Sequence, residues 1–167
     1  HSDLRRQRQM CIRDRLLDQL TSRSQLDDIN LCIVQALSCW GADVPETVMT
    51  ESLRHPGQQH RLAGLQLLSF RAHTLSDEEL LRYCSGLLHD FRDPVVIAAI
   101  RVLQRRDGSS ISNRLAQLCI DGSDEVAAAA LRALGCIATP SSQSSLLELS
   151  KTPVSYTHLT LPTKVTV

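Results

Sequence analysis

The histidines are the residues of this chain best suited to bind a metal or move a proton, but their spacing forms no site. His55, His60, His73 and His89 lie in or near predicted turns. No two of them stand four residues apart on a helix, and no His-Glu dipeptide occurs. Such pairs are how helices place metal ligands on one face. We therefore expect solvated or capping histidines and no metal ligands.

Nucleophilic chemistry would need a thiol or hydroxyl beside a base. Cys84 and His89 form a candidate pair, but five residues separate them, which places them on different faces of a helix. The carboxylates at 77–79 are consecutive, and in a first helical turn they interact with the positive end of the helix dipole. No Gly-rich phosphate loop occurs. The sequence therefore predicts no catalytic residue, no cofactor site and no enzyme activity.

The composition predicts one domain with an aliphatic core. Of 167 residues 43% are apolar but only 3% are aromatic, so Leu, Ala, Val and Ile must fill the interior. No apolar run approaches the ~18 residues of a membrane span. The arginine-rich N-terminus has no apolar segment after its charges, which argues against a secretory signal.

The cysteines indicate a reducing compartment. Five lie between residues 16 and 153, an odd number without a Cys-x-x-Cys pair, which argues against a disulfide framework. Each has an apolar helical context, in which a free thiol packs as a small hydrophobe. They are Cys32, Cys39, Cys84, Cys119 and Cys136. We expect five packed thiols and a cytoplasmic protein.

Both ends of the chain resemble translated DNA of a transposon-type sequencing adapter. Residues 5–15 read RRQRQMCIRDR and residues 154–163 read VSYTHLTLPT, and opposite strands of one adapter encode the two strings. We therefore expect 1–15 and 154–167 to be non-native, and 16–153 to be a fragment of a longer polypeptide. The alternative is a basic N-terminal arm and a β-prone tail.

This exclusion changes the charge of the chain. The whole sequence has 18 basic and 18 acidic residues, but the two end segments hold six of the basic and two of the acidic ones. Residues 16–153 therefore carry twelve basic against sixteen acidic residues, a net charge of −4. Nucleic-acid binding needs clustered Lys and Arg, so the charge argues against a nucleic-acid partner.

Local signals predict helices throughout and no strand. The predicted helices cover 29–40, 44–54, 59–70, 76–88, 95–104, 111–120, 124–135 and 141–150. In the first of them the apolar face is expected at Ile29, Ile33, Ala36, Leu37 and Trp40.

Several residues are expected to begin or end these helices. Ser76 with Glu79 reads as a capping box. Asp93 is expected to cap a helix whose first position is Pro94, and Gly135 is expected to end the helix that begins at Asp124. The arginines at 105–106 suit a helix C-terminus.

A five-residue pattern recurs along the helices. Small, large, polar, small-to-medium and large positions follow one another at 36–40, 64–68, 99–103 and 130–134. The leading large residues are 28, 35 and 31 positions apart. A helix pair recurring every ~30 residues indicates an α-solenoid. In this interpretation the small residue lets paired helices approach, and the large ones fill the seam between repeats.

The chain resembles the HEAT-repeat family, especially its short bacterial form, which is also found in phycobilisome-lyase-like proteins. The resemblance rests on DPV at 93–95 with AAIRVL at 98–103, and on DEV at 124–126 with AALRALG at 129–135. It covers 16–153 and implies an all-α fold, an α-solenoid of about four to five HEAT-like helical hairpins. Val96 and Ala127 replace the family's common Arg, which puts an Asp–Arg ladder between repeats in doubt.

The resemblance also implies where a partner would bind, because the second helices of such hairpins line a concave surface. Gln66, Arg101 and Arg132 hold one register on successive second helices. The two arginines would form a cationic row that suits carboxylates on a protein partner. The alternative is that these residues are only the polar face of amphipathic helices.

The resulting expectation is a protein-interaction scaffold that binds a partner on its concave helical surface without catalysis. Two alternatives stay open: a HEAT-type lyase or chaperone-like protein acting on a bilin-carrying partner, and a HEAT-type nucleic-acid binder. Trp40 could line a pocket, as in HEAT-like DNA glycosylases. It matches Leu134 in the repeat register, however, which favours core packing.

Overall fold

The computed structural model describes residues 2–22, 28–39 and 43–151, and within these ranges the chain is all-helical, as the sequence predicts. The helices are α1 (Ser2–Thr21), α2 (Asp28–Cys39), α3 (Glu46–Arg54), α4 (Gln58–Arg71), α5 (Asp77–Cys84), α6 (Asp93–Leu103), α7 (Ser109–Asp121), α8 (Asp124–Ile137) and α9 (Pro140–Lys151). Single 3-10 turns follow α4 at Ala72–Thr74 and α5 at Leu87–His89.

The chain divides after Ser76 into two compact units. In the first unit α3 and α2 both pack against α4, and α1 packs against α2. In the second unit sequential neighbours pack together, α5 with α6, α7 with α8 and α8 with α9. There α5 also packs against α7, α6 against α8, and α7 against α9. In this unit α5 and α7 therefore each contact both the next helix and the next but one, and α6 contacts the next but one, α8.

The core is aliphatic, as the composition predicts. The most deeply buried large side chains are mainly leucines, including Leu37, Leu68 and Leu134 at 0% exposure. Both phenylalanines lie at the surface: Phe70 is 42% exposed and Phe91 is 88% exposed. No phenylalanine is buried between the helices, so aliphatic side chains alone must fill the space between them.

Gly64 shows how closely α4 approaches α3. It lies in the buried face of α4, and a Cβ placed on it would lie 2.9 Å from the backbone nitrogen of Leu53 in α3. Because the obstacle is backbone, it cannot move aside as a flexible side chain would. The equivalent positions in α6 and α8 are Ala99 and Ala130, both at 0% exposure. The predicted role of the small residue is therefore confirmed at Gly64.

Polar contacts link residues about one repeat apart. Arg71 Nη2 lies 3.0 Å from Asp43 Oδ1, and Arg106 Nη1 lies 3.2 Å from Asp77 Oδ1. A Cβ on Gly108 would overlap the Asp77 carboxylate, so a larger residue there would require the Asp77 side chain to shift. Arg106 was expected only to favour a helix end, and it also forms this ion pair with the first turn of α5.

Asp93 does not cap α6 as predicted. The helix begins at Asp93 itself, Arg92 occupies the cap position, and Pro94 lies in the first turn. The Asp93 carboxylate instead accepts a hydrogen bond from Ser123 Oγ at 2.7 Å. Ser123 caps α8, since its Oγ also accepts from the backbone N–H of Val126.

Two predicted helix ends are wrong. The helix through Asp124 does not end at Gly135 but continues to Ile137, and Ala138 follows with φ 53° in the left-handed region. An alanine thus holds the position that usually favours glycine. The helix expected over 76–88 ends at Cys84, and Gly86, a poor helix former, lies in the turn before the 3-10 segment.

The buried face of α2 also differs from the prediction. Ile29 is 56% exposed, whereas Asn30, Val34, Leu37 and Ser38 are buried. The buried face of α2 is therefore shifted by about one residue from the predicted one. It includes two polar residues, Asn30 and Ser38, beside the apolar Val34 and Leu37. Ser38 is accommodated because its Oγ donates to the Gln35 carbonyl at 2.8 Å. The prediction for Trp40 lies outside the described residues.

The start of α9 holds a capping box that the sequence pattern did not reveal. Thr139 Oγ1 accepts from the Ser142 backbone N–H at 3.2 Å, and Ser142 Oγ accepts from the Thr139 N–H at 2.9 Å. Ser142 takes the place in which Glu or Gln is usual, so a search for those residues misses it.

Burial along α1 begins late. Residues 2–12 are exposed, Leu16 and Leu17 are half-buried, and Leu20 is buried. The adapter-like string at 5–15 thus lies mainly in the exposed part of α1, and its counterpart at 154–163 lies outside the described residues. No helix among the described residues has the length and apolar character needed to cross a membrane.

Two glycine-to-alanine substitutions should change stability in opposite directions. Gly64→Ala should lower the free energy of unfolding by about 1–2 kcal/mol, because the clash with α3 outweighs the gain in helix propensity. Gly135→Ala should raise it by about 0.5–1 kcal/mol, since a Cβ there meets no atom within 4 Å. Urea unfolding of both variants measures the difference. A destabilising Gly135→Ala would show that the helix ends there after all.

Candidate partner-binding surface

Arg101 lies on the exposed side of α6, opposite an aliphatic face. Its neighbours Ile100 and Ala99 are buried at 1% and 0% exposure, and Leu103 is at 0%. The spacing of these residues, with Val95 and Val96 one turn earlier, drives α6 into the core. Arg101 is exposed, so its guanidinium faces solvent.

Arg132 has the same position on α8. It is exposed, while Ala130, Ala133 and Leu134 around it are all at 0% exposure. Since α6 packs against α8 within one unit, the structure places both predicted arginines on exposed sides of two packed helices. One departure from the repeat register is Leu131, which is half-buried where Ile100 is buried.

Neither arginine forms an ion pair with another described residue. Other arginines of the chain do: Arg71 pairs with Asp43, Arg92 with Asp90, and Arg106 with Asp77. The guanidinium groups of Arg101 and Arg132 therefore keep all five N–H donors for water or for a partner.

Gln66 belongs to the other unit. It lies on α4, exposed between the buried Leu65 and Leu67, so its place in the repeat register matches that of the arginines. Its backbone carbonyl accepts from Ser69 Oγ at 2.7 Å. A row that joins Gln66 to the two arginines stays a prediction.

The register fails in the earliest copy of the pattern. In α2 the polar position is Ser38, which is fully buried, and the next residue, Cys39, is exposed. The four-copy pattern thus describes α4, α6 and α8 better than α2. No equivalent of the arginines exists on α2.

The prediction that the cysteines pack in the core is confirmed for two of the five. Cys84 and Cys119 are buried, whereas Cys32, Cys39 and Cys136 are exposed. No disulfide joins any cysteine within the described ranges. Burial raises the pKa of Cys84 to about 12 and that of Cys119 to about 11, so both thiols stay protonated near neutral pH. A protonated Cys84 is a poor nucleophile, which agrees with the rejection of the Cys84–His89 pair.

A histidine pair that the sequence pattern did not reveal stands at the turn between α3 and α4. The rings of His55 and His60 stack with centroids 3.6 Å apart and planes inclined by 25°. His60 is buried at 7% exposure, so the expectation of solvated histidines is wrong there. His73 and His89 are exposed as expected. No group of three or more possible metal ligands occurs among the described residues.

The surroundings of His55 favour its neutral form. Its Nδ1 accepts a hydrogen bond from the Gly57 backbone N–H at 2.9 Å, which requires an unprotonated Nδ1. Burial, followed by the nearby His60 and Arg61, lowers its pKa below the usual 6.5. Arg61 is held close because its Nε donates to the His55 carbonyl at 2.6 Å. The pair therefore reads as a structural element of the α3–α4 turn.

No family model, no curated protein and no solved structure matches this chain.

The histidine pair should make stability depend on pH. Because the pKa of His55 is lowered in the folded chain, the unfolded chain binds the proton more readily. The contribution of neutral His55 to the free energy of unfolding is complete above pH ~6.5. It is lost as the pH falls through the pKa of His55 in the folded chain. His55→Asn keeps an acceptor for the Gly57 N–H but cannot titrate.

The free energy of unfolding, measured by chemical denaturation from pH 8 to pH 5, should therefore fall more steeply for the unmodified chain than for His55→Asn. Titrating groups away from this turn contribute equally to both curves, so the difference reports His55 together with its contact to His60. Parallel curves would contradict this assignment.

Proposed function

We propose that this chain is a protein-interaction scaffold built as a HEAT-like α-solenoid, with no chemistry of its own. The packing of the second unit supports the solenoid, because α5 contacts α7, α6 contacts α8 and α7 contacts α9, while α7 also packs against the next helix, α8. In a solenoid each hairpin stacks on the next, which produces this combination of contacts. The ion pair between Asp77 and Arg106, 29 residues apart, has the separation of one repeat.

The observation that carries the proposal is the matched position of Arg101 and Arg132. Both are exposed and without an ion pair among described residues, and each stands two positions after a buried alanine and two positions before a buried leucine. A polar face that served only solubility would need no such repetition. Two arginines at one register suit a partner surface with carboxylates at a similar spacing, since guanidinium binds carboxylate through two parallel hydrogen bonds.

The proposed partner is therefore a protein with an acidic surface, bound at Arg101 and Arg132. Binding would use a preformed surface, so little ordering of the scaffold would oppose it. Complementary charge would raise the association rate and make it sensitive to salt. We also propose that 1–15 and 154–167 take no part in this function.

Charge reversal at the two arginines should remove partner capture. The full chain, immobilised, is exposed to a bacterial lysate, and retained proteins are quantified by mass spectrometry. Arg101→Glu with Arg132→Glu should lower the retention of acidic proteins by about fivefold or more, because each reversal replaces an attraction by a repulsion. The control, Arg54→Glu with Lys151→Glu, reverses two exposed charges outside the row.

Melting temperatures of the two double variants equal to that of the unmodified chain would show that folding is unaffected. Retention that is the same for all three proteins would contradict the proposed surface. Equal losses in both double variants would show that only net charge matters, which would contradict it as well.

A further inference from the structure

A second surface lies in the unit that begins at Asp77, at a cleft separate from the register of Arg101 and Arg132. The cleft opens between the turn before α6 and the turn that joins α7 to α8, and its volume is about 340 Å³. This is near the lower end for ligand pockets, with room for one or two side chains. Its apolar lining includes Leu88, Val96, Leu118 and Val126, all buried.

The rim of this cleft carries Phe91, the most exposed large hydrophobic residue described, at 88%. A single exposed hydrophobic residue is common on protein surfaces, but Phe91 stands beside an apolar cleft, and aromatic anchors dominate protein interfaces. In a chain with only two phenylalanines, this placement next to a cleft marks Phe91 as a contact residue.

The backbone around Phe91 is held in place. Arg92 donates to Asp90 through Nε at 2.9 Å and Nη2 at 3.0 Å, and the Arg92 backbone N–H also donates to Asp90 Oδ1 at 2.9 Å. The Asp90 side chain is fully buried. The Arg92 guanidinium lies 4.7 Å from the centre of the Phe91 ring. The aromatic ring therefore projects from a short segment fixed by a bidentate ion pair.

The charges at the cleft select the occupant. Asp93 and Asp121 line it, and each accepts one hydrogen bond from a neutral donor, Ser123 and Gln117 respectively. No basic side chain among the described residues pairs with either carboxylate. Asp121 is also the last residue of α7, where the negative end of the helix dipole disfavours a carboxylate and favours a cation.

One cation already lines the cleft. Arg114 Nη2 lies 3.2 Å from Nδ1 of the exposed His89. It offsets part of the negative charge without pairing with either carboxylate, so an arriving cation would meet two carboxylates against one guanidinium.

We propose that this cleft is a docking site for a basic segment of a protein partner, with an arginine side chain as the anchor. The aliphatic stem of the arginine would cover the apolar floor, and its guanidinium would reach the Asp93 and Asp121 carboxylates. The open face of Phe91 would stack on the same guanidinium. Arginine fits better than lysine because it stacks on an aromatic ring and binds a carboxylate bidentately.

The cleft is proposed to bind a cation, whereas the surface at Arg101 and Arg132 is proposed to bind carboxylates. The two proposals are therefore independent of each other. The cleft is tested with the full chain, labelled with ¹⁵N, and the blocked peptide acetyl-Gly-Ala-Arg-Leu-Ala-Gly-amide. The same peptide with citrulline in place of arginine has nearly the same shape but no charge. Amide chemical shifts are followed as each peptide is added through the millimolar range.

We expect saturable shifts at 88–96 and 117–126 for the arginine peptide and none for the citrulline peptide. Phe91→Ala should weaken binding by about two- to fivefold through loss of the stacking contact. Asp121→Asn, which still accepts from Gln117, should weaken it by a similar factor, and Arg114→Gln should strengthen it. Phe70→Ala and Asp107→Asn, exposed and outside the cleft, serve as matched controls.

Three results would overturn the proposal. The first is equal binding of the citrulline peptide, and the second is unchanged affinity in both Phe91→Ala and Asp121→Asn. The third is the absence of saturable shifts at the cleft. Arg101→Glu with Arg132→Glu should leave this binding intact, so failure here is distinguishable from failure of the scaffold surface.

Discussion

The close approach of helix backbones is the constraint on which the rest of this structure depends. With only 3% aromatic residues, the core has few aromatic side chains to span a wide gap. The helices meet through small residues instead: Gly64 lies against the backbone of α3, and Ala99 and Ala130 are fully buried in α6 and α8. Once these positions face inward, the polar residue two places later must face outward, which is how Arg101 and Arg132 become exposed at one register.

Much of the fold could be predicted because it depends on helical propensity and on the spacing of apolar residues, which are local properties of the sequence. Helical propensity and three-to-four spacing identify the helices from α2 to α9 to within a few residues, α5 excepted, and the repeat register predicts the exposure of Gln66, Arg101 and Arg132. The errors occur where tertiary contacts decide. Gly135 is a strong local stop signal, yet the helix continues through it to Ile137, and Ala138, which follows, takes a left-handed conformation. In α2 two polar residues share the buried face, which a hydrophobic pattern cannot predict.

The surface features were less predictable, since they join residues that are distant in sequence. The stack of His55 on His60 depends on the geometry of one turn, and the cleft beside Phe91 joins a loop before α6 to the end of α7. Phe91 itself reads in sequence as an ordinary hydrophobic residue in a turn. Together the two proposed surfaces would give the chain a cationic face and an aromatic, acidic cleft. Such a combination suits an adaptor that holds partners of opposite charge.

The proposed solenoid depends on the stacking of alternate helices, which methyl-labelled NMR can measure in solution. A NOESY spectrum of the full chain, with Ala, Ile, Leu and Val methyl groups labelled, reports which helices touch in solution. We expect cross-peaks between α6 and α8 and between α7 and α9, as well as within the α7–α8 hairpin. Cross-peaks confined to sequential neighbours, with none that link α6 to α8 or α7 to α9, would contradict the proposed solenoid.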